Sequence, residues 1–334
     1  MSRRVVLIPG DGIGPAVTAA ARRVVDAAGV DIEWDLQLAG ESAVKELGEP
    51  LPKSTLDHIR ECGVALKGPL TTPLGRGYRS VNITLRQELD LFANVRPAKS
   101  FPGIKSRYEK IDIVVVRENT EGLYSGIEHF VTPQKDVVES IAVFTRRACD
   151  RIVRYAFEYA KTNDRKKITL VHKANILKFA GTMLFEAAAR YAREYPEIEY
   201  EEKIIDATCM QLVIHPNQFD VIVTTNLFGD ILSDLTAGLV GGLGVAPAAN
   251  IGEGNAIFEA VHGTAPDLVG GESANPTALI LAAAMMLSYL RWGDAAERIE
   301  KAIREVLGRR LVQTPDLGGK ATTQEFTHAV IAAL

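Results

Sequence analysis

Cysteine is scarce in this chain: Cys62, Cys149 and Cys209 are the only three in 334 residues. An odd, scattered set provides no disulfide framework and suits a reducing compartment, so all three read as small packing residues. Charge of one sign is missing too. With 38 basic and 42 acidic residues the formal charge is −4, and no overall field gathers nucleic acid or an anionic membrane. A polyanionic ligand must instead be met by a local cluster of arginines. Long apolar runs are also absent. The longest, residues 277–287, falls short of the roughly 20 residues that a membrane span needs and reads as a buried helix or a subunit contact. Neither nucleic acid nor membrane is therefore an expected partner. The opening Met1-Ser2-Arg3-Arg4 runs straight into Val5-Val6-Leu7-Ile8, leaving no room for a signal peptide. The expected location is the cytoplasm, or the mitochondrial matrix if the source is eukaryotic and a leader has been removed.

What is present is the material of an ordinary soluble globular protein. Hydrophobic residues at 47% and charged residues at 24% exclude disorder, and the length suits two domains. Short β-branched runs alternate with longer helical patterns, which predicts a layered α/β fold. Strands are expected over 5–8, 32–38, 64–67, 111–116, 168–171 and 220–224. Helices are expected over 17–28, 56–61, 146–160, 176–195 and 295–307. Residues 96–110, with two prolines and mixed charge, read as the crossing between domains. Residues 125–145 alternate weakly around Pro133 and read as a hairpin arm; such an arm has no core of its own and needs a partner to cover it.

Gly10-Asp11-Gly12-Ile13-Gly14-Pro15 follows the first strand and invites a dinucleotide-binding reading. The third glycine arrives one residue early and Pro15 sits where a helix begins, so a tight strand-to-helix turn is favoured.

Three aspartates carry more chemistry. Asp206 follows the strand-like Ile204-Ile205, while Asp230 and Asp234 lie four apart where the strand 220–224 gives way to a helical pattern, so both project from one face. Like charges there repel unless a cation lies between them. With no histidine or cysteine at ligand spacing nearby, an oxygen-preferring ion, Mg²⁺ or Mn²⁺, suits the set better than zinc. A solvated helix start rich in capping aspartate is the alternative.

Residues 77–97 offer Ser80, Asn82, Arg86 and Arg96, and Arg117 closes the apolar strand 111–116. A guanidinium at the end of such a strand is expensive to bury unless it meets an anion. Arginines able to bind carboxylate in bidentate fashion suit a small di- or tricarboxylate. Structural ion pairs with Glu118, Glu121 or Asp90 stand as an equal alternative at this point.

These residues resemble a known family, the metal-dependent β-decarboxylating dehydrogenases, which include isocitrate, homoisocitrate, 3-isopropylmalate and tartrate dehydrogenases. The resemblance spans nearly the whole chain. It runs from Ile8-Pro9-Gly10-Asp11-Gly12-Ile13-Gly14-Pro15 through Arg117-Glu118-Asn119-Thr120-Glu121-Gly122-Leu123-Tyr124 and His172-Lys173-Ala174-Asn175. It continues through Asp230-Ile231-Leu232-Ser233-Asp234 to Glu259-Ala260-Val261-His262-Gly263-Thr264-Ala265-Pro266. It implies an isocitrate/isopropylmalate dehydrogenase-like α/β fold with two domains and a mixed, non-Rossmann sheet. Residues 1–97 with 250–334 are expected to form the larger, cofactor-binding domain, and 98–249 the smaller one, with its contact arm near 125–145.

The resemblance also implies roles. Arg86, Arg96 and Arg117 would clamp carboxylates, Tyr124 and Lys173 would transfer protons, and Asp206, Asp230 and Asp234 would hold Mg²⁺ or Mn²⁺. Thr72, His262, Gly263, Thr264, Ala265, Asp267, Leu268 and Asn275 would contact the nicotinamide cofactor. The family pairs its subunits, so Lys173 and Asp206 are expected to serve the neighbour's site in a homodimer or larger homo-oligomer. Ser80 and Asn82 match the isocitrate members, and Asp267-Leu268 stand where NADP users place Lys and Tyr. The expected reaction is NAD-dependent oxidative decarboxylation of isocitrate to 2-oxoglutarate and CO₂. Homoisocitrate is the alternative substrate; isopropylmalate and a non-catalytic regulatory subunit fit less well.

Overall fold

The computed structural model describes residues 2–73, 77–268 and 272–334. Among these residues twelve strands follow in chain order. They are β1 (Arg3–Ile8), β2 (Ile32–Leu36), β3 (Val64–Lys67), β4 (Ala93–Lys99), β5 (Asp112–Glu118), β6 (Gly122–Phe130), β7 (Val138–Val143), β8 (Lys167–His172), β9 (Glu199–Ile204), β10 (Val221–Thr224), β11 (Pro247–Ile251) and β12 (Ala256–Ala260). The six strands expected from β-branched runs are all present, as β1, β2, β3, β5, β8 and β10.

The chain divides into two compact units. One comprises the residues up to Leu89, Lys99–Glu109 and Ala237–Leu334; the other comprises Asp90–Ala98 and Lys110–Thr236. These limits differ from the expected breaks after 97 and 249, for reasons visible in the packing. Asn119 draws the 90–98 segment into the second unit, donating from its side chain to the Leu91 carbonyl and from its backbone to that of Phe92. Residues 99–109 return to the first, where Arg304 stacks on Phe101 and Gln313 donates to the Gly103 carbonyl. Residues 237–249 lead into β11, which pairs antiparallel with β12 of the first unit.

In the first unit the strand order is β2-β1-β3-β12-β11. The β1–β2, β1–β3 and β3–β12 pairs are parallel and β11–β12 antiparallel, a mixed sheet. All four residues of β3 are buried, as expected for a strand covered on both faces. The helix Thr277–Tyr289 is apolar all round and buried over nearly its whole length. It packs on β11, β12 and the helices Gly14–Ala27 and Gly293–Arg309, so its own chain covers it.

Helix Gly14–Ala27 carries Pro15 in its first turn, the strand-to-helix turn that the spacing predicts. Its glycines are needed there. Gly10 and Gly12 have φ of 81° and 60°, and a Cβ on either would collide with Pro69 or Thr264 respectively.

In the second unit the order is β4-β5-β10-β8-β9, with β5, β10, β8 and β9 parallel. The helix Arg146–Thr162 is capped by Thr145, whose hydroxyl accepts from the Ala148 N–H at 3.1 Å. Its buried residues, from Ala148 and Cys149 to Phe157 and Ala160, recur every three or four positions. Strands β6 and β7 form a separate antiparallel pair over the expected arm, with Ile127, Phe130, Val138 and Ile141 exposed.

Candidate active site

Strand β10 ends at Thr224, and the helix Asn226–Val240 starts two residues later. Asn226, Asp230 and Asp234 are spaced by four along it, so all three line one face. Strand β5 ends beside it, because Arg117 is the register partner of Thr224. The Arg117 side chain, 1% exposed, runs along the start of this helix. Its Nε and Nη2 donate to Asn226 Oδ1 at 3.0 and 2.7 Å, and its Nη1 donates to Asp230. The passage requires glycine at 229, since a Cβ there would come within 2.5 Å of Arg117 Cγ.

Asp230 gathers further donors. Arg96 Nη1 reaches it at 3.3 Å, and the Tyr124 hydroxyl donates to its other oxygen. Arg96 also donates to Asn94 Oδ1 at 2.6 Å and to Ser233 Oγ at 2.7 Å. Asp234 lies 3.5 Å from Arg96, and burial pushes its carboxyl above the ordinary value. Arg117, Arg96, Tyr124 and both helix carboxylates are thus brought together.

The equal alternative for Arg117 is not what the fold contains. Glu118 turns back to accept from the Thr120 hydroxyl and from the N–H groups of Thr120 and Glu121. Glu121 accepts from Thr145, and Asp90 accepts from Arg151 and Arg147. The anion that meets Arg117 is Asp230.

The three aspartates do not converge within one chain. Asp206 lies in the first turn of the helix Ile205–Ile214, just after β9, and β8 separates β9 from β10, so the two strand ends are roughly 10 Å apart. Asp206 accepts from Lys173 Nζ at 2.7 Å, and that bond holds its carboxyl below the usual range. Among the described residues no group of three His, Cys, Asp or Glu side chains could hold a metal ion. The cage read from sequence is therefore two carboxylates in one place and a lysine–aspartate pair in another.

The remaining candidates lie in the first unit. Ser80 precedes the helix Val81–Glu88, on which Asn82 and Arg86 are four apart and share a face. The Thr72 hydroxyl donates to Ser80 Oγ at 3.2 Å. Asn82 Oδ1 and Arg86 Nε are buried without a hydrogen-bond partner. Arg86 Nη2 lies 3.4 Å from Glu259, which also meets Lys67 Nζ at 2.7 Å and Asn250 Nδ2 at 2.8 Å. Burial alone would raise the Glu259 carboxyl; Lys67 and then Arg86 overcome it and hold it well below the carboxylate range. Sequence reasoning missed Lys67, Asn250 and Glu259.

Gly263, Thr264 and Ala265 follow β12 and lead into the single turn Pro266–Leu268, where Asp267 and Leu268 are exposed. His262 Nε2 is buried and unpartnered, and burial lowers the ring's pKa. The Asn275 amide is already engaged: its oxygen accepts from Thr277 N–H and Oγ1 at 3.0 and 2.6 Å, and its nitrogen donates to Asp316 at 2.8 Å.

Residues 4–330 match the sequence family described as isocitrate/isopropylmalate dehydrogenase. The chain belongs to the isocitrate/isopropylmalate dehydrogenase family. It is 49% identical to the mitochondrial isocitrate dehydrogenase [NAD] catalytic subunit 5 of Arabidopsis thaliana, over 97% of this chain and 86% of that one. It is 48% identical to the chloroplastic 3-isopropylmalate dehydrogenase of Solanum tuberosum, over 91% of this chain and 85% of that one. The crystal structure of isocitrate dehydrogenase from Methylococcus capsulatus superposes with a TM-score of 0.96 at 54% identity, covering 99% of both chains. The two curated relatives, named for different substrates, differ by one percentage point in identity, while the solved isocitrate dehydrogenase stands higher at 54%.

Proposed function

We propose that this chain is an NAD-dependent isocitrate dehydrogenase that forms 2-oxoglutarate and CO₂ with a divalent metal. One observation carries the choice of substrate: Ser80 and Asn82 sit beside Arg86 at the start of the helix Val81–Glu88. Hydrogen-bonding groups there suit a third carboxylate and would be left unpaired by an isopropyl group, a mismatch that discriminates strongly. Arg86, Arg96 and Arg117 hold the carboxylates of the acid. Lys173 would take the hydroxyl proton at Nζ; NAD⁺, when bound, would supply the acceptor for the C2 hydride, which leaves a β-keto acid able to lose CO₂. Tyr124 then delivers its phenolic proton to C3.

The residues present suit a divalent cation and a dinucleotide. Asp230 and Asp234 offer only oxygen donors on one helical face, and the raised carboxyl of Asp234 gains from a positive neighbour, which suits Mg²⁺ or Mn²⁺. When bound, the cation acidifies the C2 hydroxyl and steadies the enolate charge left after decarboxylation. Asp206 joins this set from a neighbouring subunit together with Lys173, which makes the active form a homo-oligomer whose sites are shared. The exposed apolar face of the β6–β7 arm supports such pairing.

For the nucleotide, the buried unpartnered Nε2 of His262 can accept a hydrogen bond from a base while Nδ1 faces the Gly263 carbonyl, and Gly263 has open space where a Cβ would stand. Thr264 and Ala265 continue that backbone. Exposed Asp267 suits two ribose hydroxyls, whereas a 2′-phosphate would be repelled by about 4 kcal/mol at about 4 Å and an effective dielectric of about 20. Asn275 orders the start of the helix Thr277–Tyr289 behind this segment rather than offering a free amide. Three free thiols, Cys62, Cys149 and Cys209, suit a reducing compartment, cytoplasm or mitochondrial matrix.

The deciding experiment is an assay of the purified protein with Mg²⁺ or Mn²⁺, testing isocitrate, homoisocitrate and 3-isopropylmalate, each against NAD⁺ and NADP⁺. Turnover of isocitrate with NAD⁺ is expected to dominate; preference for either other acid overturns the substrate assignment. Asp267→Lys combined with Leu268→Tyr is expected to shift preference toward NADP⁺.

A further inference from the structure

The Gly10–Gly14 turn does not have the spacing of a dinucleotide fingerprint, yet it lies against two of the segments assigned to the substrate and cofactor. The backbone N–H of Ile13 donates to the Thr264 carbonyl at 3.1 Å, and the N–H of Asp11 donates to that of Pro69 at 2.8 Å. Asp11 is buried and carries a carboxylate among backbone donors. It accepts from Thr71 N–H at 2.9 Å, and from Glu41 and Ser42 N–H at 3.1 Å each. The other side of Thr71 is held as well, since the Tyr78 hydroxyl donates to the Thr71 carbonyl at 3.3 Å. Burial, with Asp11 and Glu41 adding to it, pushes the Tyr78 phenol above its ordinary value, so it remains a donor. Thr72 follows directly, and its hydroxyl meets Ser80.

We infer that Asp11 and Tyr78 are positioning residues that clamp Thr71 from both sides and thereby set the Thr72–Ser80 hydroxyl pair for cofactor and substrate. The inference rests on the isocitrate reading above, in which Thr72 and Ser80 touch the ligands. It gives the aspartate of the glycine turn a task distinct from contacting phosphate: a carboxylate can accept from three backbone N–H groups at once, and an amide cannot. Neither Asp11 nor Tyr78 needs to reach a reacting atom.

The test is a double-mutant cycle on the intact enzyme, combining Tyr78→Phe with Thr72→Ala and, separately, with Ser80→Ala. Removing one hydroxyl from a half-buried site is expected to raise the KM for isocitrate and for NAD⁺ by about three- to tenfold. The melting temperature and kcat are expected to change little. Asp11→Asn is expected to act in the same direction and more strongly. In the Thr72→Ala or Ser80→Ala background, the Tyr78→Phe penalty is expected to disappear, because the clamp acts through those hydroxyls. Full additivity, or an unchanged KM in Tyr78→Phe while both alanine variants are impaired, overturns the clamp and leaves the functional reading intact. Unchanged KM values in Thr72→Ala and Ser80→Ala overturn that reading, and the clamp with it.

Discussion

Two charged clusters, one in each unit, handle buried cations in opposite ways. In the first unit Glu259 stands between Lys67 and Arg86, Asn250 completes it, and all four side chains are largely enclosed. In the second, Arg96, Arg117 and Tyr124 crowd onto one carboxylate, Asp230, while half-exposed Asp234 is left with only a 3.5 Å contact to Arg96. The first arrangement is satisfied around its glutamate, and Arg86 keeps one unpartnered donor, Nε, for the proposed acid. The second sets three donors on one carboxylate and leaves Asp234 half-exposed, the mismatch on which the proposed binding of acid and cation rests. Burial of charge therefore does not by itself mark a ligand site; what marks one is burial combined with mismatched partners.

Removing the central anion of the closed cluster gives the largest expected effect. Glu259→Gln leaves Lys67 and Arg86 buried without a counter-charge, which should lower stability by about 3–5 kcal/mol in urea titrations. The pH dependence has a definite sign. Because the folded carboxyl is held below its unfolded value of about 4.3, its contribution is fully present above that pH and is lost as pH falls toward the folded value. The Gln variant should have a flatter acid limb; an unaltered limb would remove Glu259 from the account of stability.

Arg117→Lys probes the open cluster. A lysine cannot serve Asn226 and Asp230 together, and kcat/KM for the acid should fall by about 1.5–3 kcal/mol, with KM for NAD⁺ nearly unchanged. A loss shared equally between acid and nucleotide would erase the distinction between the clusters.

Asp234→Asn should weaken Mn²⁺ binding, followed by metal titration, tenfold or more. It should move the stability of the metal-free protein by no more than about 0.5 kcal/mol. Smallest of all in stability is Asp206→Asn: the melting temperature should not shift, while activity is lost. A mixed oligomer of Asp206→Asn and Arg117→Lys chains should regain part of that activity if sites are shared.

Much of the fold was legible from short apolar runs, because strands buried on both faces leave a dense β-branched signature. Strand β9, Glu-Tyr-Glu-Glu-Lys-Ile, lacks that signature, since it lies at an edge and keeps only part of its surface inside. That Arg117 meets an anion was legible from one rule, that a charge closing an apolar strand must be paired. The same rule, applied to Lys67 at the end of Val64-Ala65-Leu66 and to Glu259 after Ala256-Ile257-Phe258, finds the closed cluster too. The partner of Arg117 was not legible, because Asp230 lies 113 positions away and nothing local distinguishes it from Glu118. The compact units divide residues 90–98 from 99–109, a division made by side-chain and backbone contacts that carry no periodicity.

Strand β12 lies between β3 and β11, and its residues follow β3 only after the whole second unit has passed. On the ribosome, then, the hydrogen-bonding edge of Val64–Lys67 stays open until Ala256–Ala260 has emerged. The inserted unit has nearly all of its strands to hand by then and can fold first. A chain arrested before residue 256 would carry one finished body and one raw apolar edge, the form most exposed to aggregation during synthesis.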